Sequence, residues 1–392
     1  MQLGHDPALE AVRLRTRELI AEYAVGQHLR AGVRAPEPEE IPRLRTWAAA
    51  LYDAQLLGVF WPVEYGGLPS AHPLHESVVH EELVRAGAPM PVGGGQLAAA
   101  AILECGTTAQ KDYFLPRIRS GEHIWCQLFS EPDAGSDLAS LRTRARREGD
   151  RFIVDGQKVW TTNGQYADWG YLLARTDPDA PKHQGITAFA LDMRTEGVDV
   201  RPLREITGTT DFNEVFLDNV EVPADNVIGA PHAGWAVTTA SLAHERSGVG
   251  GGVALFRALD DLLTLAREVD VDGVRGIDRH DVRQALGGLV ADSHVSALLS
   301  AFGESRALHG SRDVADAPLS KILFSEVNLA VAEYGMALQG ADGIRVEGDH
   351  FVHADGWWQD AFLYARAYTI AGGANEVLRN IVAERSLGLP RS

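Results

Sequence analysis

Cysteine is nearly absent from this 392-residue chain: Cys105 and Cys126 are the only two, and neither belongs to a CxxC pair. A disulfide scaffold or a thiolate zinc site is therefore not expected, no metal is assigned, and a reducing compartment such as the cytoplasm fits. Long apolar runs are missing too. No window is expected to reach the roughly 18 apolar residues of a membrane span, and the opening MQLGHDPALEAVRLRTRELI sets charge into every turn where a secretory signal would be apolar. Positive charge is also in short supply, with 36 Lys and Arg against 54 Asp and Glu and a formal net charge of -18. Such a chain repels nucleic-acid backbones, so an anionic substrate has to be met by locally placed basic side chains. What is plentiful is core material: a hydrophobic content of 45% over this length supports two or three domains in one globule.

The hydrophobic period divides the chain into three zones. Residues 1–122 read as an N-terminal helical domain, with amphipathic runs such as EIPRLRTWAAALYDAQLLG broken by Pro and Gly. Within it GTTAQKDYFLPRIRSGE reads as a capped helix, with Thr107 or Thr108 as cap, Gly121 as stop, and Lys111, Arg117 and Arg119 on the solvated side. Over 123–230 the period falls to two, predicting a central β-barrel or sandwich with turns at Gly149-Asp150 and, as the stronger hairpin signal, Asp155-Gly156. From 231 to 392 the helical period returns in long segments, predicting an antiparallel bundle. The fold class is thus α+β, helical at both ends.

Two apparent sites are set aside. His72, His75 and His80 are spaced by three and five, which does not place all three on one helix face, and they read as solvated surface. The run Gly248 to Gly252 follows a helix and lacks the last glycine of a dinucleotide loop, so close helix packing accounts for it better. Other segments carry more. Trp160 and Thr162 are two apart in a strand, which predicts side chains on one face. Gly372 and Gly373 permit close backbone approach, and Asn375 reads as the cap of a helix starting near Glu376.

In order along the chain, GVFWPVEYGG, GTTAQKDYFLPRIRSGE, LFSEPDAGSD, KVWTTNG and IAGGANEVLRNIVAERSLGLP together resemble the acyl-CoA dehydrogenase family. The resemblance implies a three-domain fold ending in a four-helix bundle, and FAD-dependent introduction of an α,β double bond into an acyl-CoA thioester. It implies cofactor contacts from Gln127, Leu128, Phe129, Ser130, Gly135, Ser136, Trp160, Thr161, Thr162, Asn375 and Glu376, with Trp160 stacked on the ring and Thr162 donating to its N5 edge. It implies substrate contacts from Ser136, Arg246 and Gly373, an electron acceptor such as an electron-transfer flavoprotein, and a homotetramer or a heteromeric assembly.

Desaturation needs a base for the α-proton while the β-hydrogen leaves as hydride. In many family members that carboxylate stands just before the glycine matching Gly373, where this chain has Gly372. A second family arrangement places it on a bundle helix before an arginine, and SLAHERSG supplies Glu245 and Arg246 there. The period agrees: Trp235, Thr238, Leu242, Glu245, Val249 and Val253 form one stripe, and burial would raise the proton affinity of a carboxylate on it. The family's Arg-x-x-Phe-Gly and Gln-x-x-Gly-Gly-x-Gly segments, which serve the adenine end of FAD, have no match in REVDVDGVRGIDRHDVRQALGGL or LQGADGI, so residues 270–284 are assigned no FAD contact. A flavin oxidase or monooxygenase, or a non-catalytic subunit of a heteromer, are the alternative readings.

Overall fold

A computed structural model of the chain describes residues 6–23, 34–247, 251–311, 313–350 and 352–390, with the side chains of 242–247, 251–253, 307 and 308 outside the described set. The N-terminal region contains α1 (Pro7–Tyr23), α2 (Ile41–Asp53), α3 (His75–Ala86), α4 (Gly95–Cys105) and α5 (Thr108–Arg119). Trp47, Leu51, Tyr52, Val79 and Leu83 lie in the core between α1, α2 and α3, while α4 and α5 pack toward the central sheet. Thr107 is the cap of α5: its Oγ1 accepts from Gln110 N at 3.2 Å while Gln110 Oε1 accepts from Thr107 N at 3.0 Å, a reciprocal capping box.

Two expectations in this region are corrected. Arg119 is not on a solvated face; its guanidinium lies 5.3 Å from the Tyr52 ring and donates to Tyr52 O at 2.9 Å. His75 is buried and His80 is half-buried, and burial lowers the pKa of both. Helix α3 packs against both α1 and the C-terminal region, which buries positions that spacing alone left to solvent.

The central region runs β1 (Trp125–Leu128), β2 (Arg144–Glu148), β3 (Arg151–Thr162), β4 (Trp169–Arg175), β5 (Ile186–Asp192), β6 (Val198–Leu203), β7 (Phe212–Pro223) and β8 (Val227–Ile228). They form one eight-stranded sheet in the order β6-β7-β3-β2-β4-β5-β8, with β1 pairing parallel to β4. Alternation sends Leu128, Phe152, Val154, Leu172, Phe189 and Val215 into a cluster on one face. Phe129, Tyr171, Leu173 and Ala188 pack on the other face against Ala98 and Ile102 of α4 and Val237 of the following helix. The sheet is therefore buried on both sides where β4 and β5 run, which is why those strands read as nearly continuous apolar sequence.

Gly149-Asp150 does join β2 to β3, with Glu148 opposite Arg151. Asp155-Gly156 is not a hairpin. It lies inside β3, where the register against β7 shifts between Val154 and Gly156. The glycine is needed for close approach instead: a Cβ there would stand 2.4 Å from Thr143 Oγ1.

The C-terminal region contains α6 (Gly234–Ser247), α7 (Gly251–Glu268), a short hairpin of β9 (Asp270–Val271) and β10 (Val274–Arg275), then α8 (His280–Leu308), α9 (Asp316–Leu338), α10 (Trp357–Ile370) and α11 (Asn375–Ile381). Leu255, Leu259, Leu262, Val327, Val331 and Trp358 are at its centre. Residues 248–250 of the glycine run lie outside the described set. By length and composition the segment His280–Arg306 is long and apolar enough to cross a membrane, with a mean hydropathy of 1.3. In this structure it is a bundle helix whose Val282 and Leu286 join the core with α7 and α9.

Arg34 connects all three regions. Its side chain is 5% exposed and donates from Nη1 to Asp211 Oδ2 at 2.9 Å and from Nη2 to Asp360 Oδ2 at 2.6 Å. Ala35 N donates to the second Asp211 oxygen at 2.8 Å, and the guanidinium lies 4.8 Å from the Tyr364 ring. The beginning of β7 is thereby fastened to α10.

Candidate active site

The turn after β1 is built around a buried ion pair. Lys158, fully buried on β3, donates from Nζ to Glu131 Oε1 at 2.7 Å and to Phe129 O at 3.0 Å. Glu131 also accepts from the backbone N–H of Arg142 at 2.6 Å and of Thr143 at 2.9 Å. Burial alone would raise the Glu131 pKa, but the Lys158 ammonium and these donors hold it below the usual carboxylate range. Burial pushes Lys158 down to about 8. Val159 N donates to Ser130 O at 2.9 Å, so the LFSEPDAGSD turn and β3 form a single unit. The bulge at Gly156 belongs to it, because the residue it admits is Thr143, whose backbone N–H donates to Glu131.

Phe129 faces away from that pair. Its ring meets Tyr171 edge-on at 4.9 Å, and Tyr171 Oη lies 3.5 Å from both Thr238 Oγ1 and Ser241 Oγ of α6. Thr238 and Ser241 are buried, so α6 turns this face inward. Glu245 and Arg246 fall in the last turn of that helix, and their side chains lie outside the described residues.

Trp160 stands where β3 breaks from its register a second time, between Lys158 and Thr161. It has φ +60°, rare for a residue other than glycine, and is 57% exposed, with Phe212 edge-on at 6.0 Å. Across this bulge Thr161 is fully buried while Trp160 is exposed and Thr162 half-buried, so the more open positions still fall two apart. Gln127 is half-buried on β1 opposite Tyr171, and Leu128 is buried in the sheet core.

Gly135 and Ser136 are exposed. Beside them the 176–185 loop is strapped to the turn by Lys182, whose Nζ donates to Asp137 Oδ1 at 2.8 Å, and by Arg175, which donates to Ala139 O at 2.7 Å. His183 lies edge-on to Trp235 of α6 at 4.8 Å. Beside Ser136, Lys182 is thus paired with Asp137 and Arg142 with Asp133, so each of these cations is met by a carboxylate of the turn.

At the C-terminal segment the helix starts one residue earlier than expected. Ala374 occupies the cap position, and Asn375 is the first helical residue of α11. Its side chain is 2% exposed and bonded to α9, so it does not cap. Glu376 is exposed, and Gly372 and Gly373 take φ +66° and +103°, the left-handed region that favours glycine.

The acyl-CoA dehydrogenase N-terminal domain matches residues 7–122, the middle domain 126–220 and the C-terminal domain 232–387. Acyl-CoA dehydrogenase IpdE1 of Mycobacterium tuberculosis is 37% identical over 392 residues, covering 98% of each chain. The chain belongs to the acyl-CoA dehydrogenase family. Acyl-CoA dehydrogenase FadE34 of the same organism is 43% identical over 87% of this chain, which spans 46% of that longer relative. A solved structure titled Tcur3481-Tcur3483 steroid ACAD superimposes with a TM-score of 0.85 at 31% identity, over 100% of both chains. The α+β architecture and the flavin-dependent dehydrogenation of acyl-CoA expected from the sequence agree with this membership, and no observation favours the oxidase, monooxygenase or non-catalytic readings.

The residues present suit a flavin. An uncovered indole at Trp160 offers a stacking face, and the Ser130 and Thr162 hydroxyls offer polar contacts near it. Three side chains that build this region escaped the sequence reading: Lys158, Tyr171 and Lys182. A lysine inside the apolar alternation of β3 was the one available signal.

Proposed function

We propose that the chain is an FAD-dependent dehydrogenase that desaturates an acyl-CoA thioester at its α,β bond, with Glu245 as the base. Bound FAD supplies the two-electron acceptor for the β-hydrogen. The observation that carries the reading is the path Phe129–Tyr171–Ser241, which couples the LFSEPDAGSD turn to the helix of Glu245. From Ser241 one helical turn leads to position 245, on the same side.

The turn residues Leu128, Phe129 and Ser130, with Gln127 behind them and Thr161 and Thr162 on β3, hold and orient the cofactor ring. Trp160 covers one face and excludes water. Gly135 and Ser136 approach the phosphates, and Asn375 and Glu376 complete the site from the bundle side. Glu245 takes the α-proton, while Arg246 and Gly373 orient the acyl thioester. We assign domain limits at 122/123 and 230/231, a cytoplasmic enzyme, and an electron-transfer flavoprotein as acceptor.

A heteromeric tetramer is favoured over a homotetramer by two observations. The adenine-end segments are missing from this chain, and FadE34 is long enough to hold a second unit of this size. The likeness to a steroid dehydrogenase makes steroid acyl thioesters the first class to test. Anaerobic mixing with a panel of saturated acyl-CoA thioesters should bleach the flavin for the right substrate; no bleaching by any thioester, with or without a partner chain, would overturn the reading.

Two further outcomes are expected. Trp160→Ala should weaken flavin binding by roughly tenfold or more, the worth of burying a large aromatic face; unchanged flavin titration would place the ring elsewhere. Lys182→Ala with His183→Ala should raise KM for a CoA thioester about two- to fivefold, as for exposed ion pairs, and leave a pantetheine thioester unaffected. Equal effects on both thioesters would remove the CoA phosphates from the surface beside Ser136.

A further inference from the structure

Lys321 lies in the second turn of α9, far in sequence from every segment that carries the family resemblance. Its Nζ donates to Gly373 O at 2.7 Å and to Asn375 Oδ1 at 2.9 Å. Ser325, one helical turn further on, stands within 3.1 Å of both amide atoms of Asn375. One face of α9 therefore grips the turn between α10 and α11 at Gly373 and at the first residue of α11.

That turn needs an outside anchor. Gly372 and Gly373 both occupy the left-handed region, which glycine permits but does not enforce, and two adjacent glycines lose more backbone freedom than any other pair when fixed. Hydrogen bonds from a charged donor are the strong kind and are suited to fixing it. The other charged groups around the ammonium are Glu326 on α9 and Glu376 and Arg379 on α11; Arg379 pairs with Glu326. Burial lowers the Lys321 pKa to about 8 against the pull of Glu376 and Glu326.

We infer that Lys321 is a positioning residue for the thioester site: its ammonium holds the Gly372-Gly373 turn in the conformation that presents Gly373 to the substrate. This rests on the proposal that Gly373 faces the acyl thioester. Lys321 acts through the turn and touches no reacting atom.

The test compares Lys321→Met, Lys321→Arg and Gly373→Ala in the flavin-loaded protein. Hydrogen exchange of the peptide spanning 370–378 should speed up by roughly tenfold or more in Lys321→Met, as expected when bonds to a charged donor are lost. In the same variant KM should rise or kcat fall without loss of flavin. Wild-type activity should carry a term that declines as pH rises through about 8, where the ammonium loses its proton. In Lys321→Arg that term should vanish, because arginine stays charged, with at least part of the activity retained.

Unchanged exchange in Lys321→Met would overturn the inference, since the lysine would not be holding the turn. Faster exchange with normal kinetics in Lys321→Met but altered kinetics in Gly373→Ala would also overturn it. Normal kinetics in both variants would instead remove Gly373 from the thioester site, and the inference with it. Should Lys321→Met not fold, the pH profile and exchange of Lys321→Arg decide: a profile identical to wild type would reject the role.

Discussion

Glu245→Gln is expected to leave flavin and thioester binding intact and to slow flavin reduction by about 10²-fold or more, the contribution of a positioned general base. The reasoning starts from what the C-terminal turn cannot do. Gly372 and Gly373 carry no side chain, so the position where many family members place a carboxylate can abstract no proton. Helix α6 brings Thr238 and Ser241 against Tyr171, and Tyr171 against Phe129 of the signature turn. Glu245 is the carboxylate that this helix carries one turn beyond Ser241. Gln matches its size and keeps a carbonyl, so binding survives while proton transfer does not. Stopped-flow reduction under anaerobic conditions, with flavin and thioester affinities measured separately, reads both halves. A variant that bleaches at the wild-type rate would reject Glu245 and point to a base on a partner chain.

Lys158→Met is expected to destabilise the protein by about 3–5 kcal/mol, the usual consequence of removing one partner of a buried ion pair. Methionine fills most of the same space, so the loss is electrostatic rather than a cavity. It strands the Glu131 carboxylate among backbone donors with its cation gone, and frees Phe129 O from its donor. Denaturant unfolding of the apoprotein measures the stability; a loss below about 1 kcal/mol would mean that the pair contributes no more than an exposed one. The pair also sets a pH dependence. Glu131 is held below its ordinary pKa, so it contributes stability at neutral pH that is lost as pH falls through its folded value. In Lys158→Met that acid-sensitive contribution should shrink. A Lys158→Met protein with an undiminished acid transition would assign it to other carboxylates.

The features legible in the sequence are those with local causes. The change of period from helix to strand and back, the Thr107 box with Gln110, and the Gly149-Asp150 turn all depend on residues a few positions apart. What failed depended on partners distant in the chain. Asp155-Gly156 has the local chemistry of a tight turn, yet Thr143 lies over it and the glycine serves a bulge. Asn375 has the local chemistry of a cap, yet Lys321 and Ser325 of α9 claim its side chain. Trp160 was found through its motif, whereas its left-handed backbone and exposed ring follow from a register shift against β7 that no pattern within β3 discloses. Lys158 left only its place in β3 as a signal, and Lys321 looks in sequence like any surface lysine; their burial sets both apart.

The Arg34 bridge has a bearing on how the β-region and the bundle can part. One guanidinium holds a carboxylate at the head of β7 and another on α10, with its side chain 5% exposed. Parting the two there means returning ions to water, not sliding one apolar face over another. Dissolved salt screens exposed pairs over roughly 10 Å at 0.1 M but reaches buried ones far less. This junction should therefore be indifferent to ionic strength while the pairs on the protein's exterior are not, and cofactor release should hardly quicken in concentrated sodium chloride. It also makes Arg34, which belongs to neither the sheet nor the bundle, the latch that keeps them together.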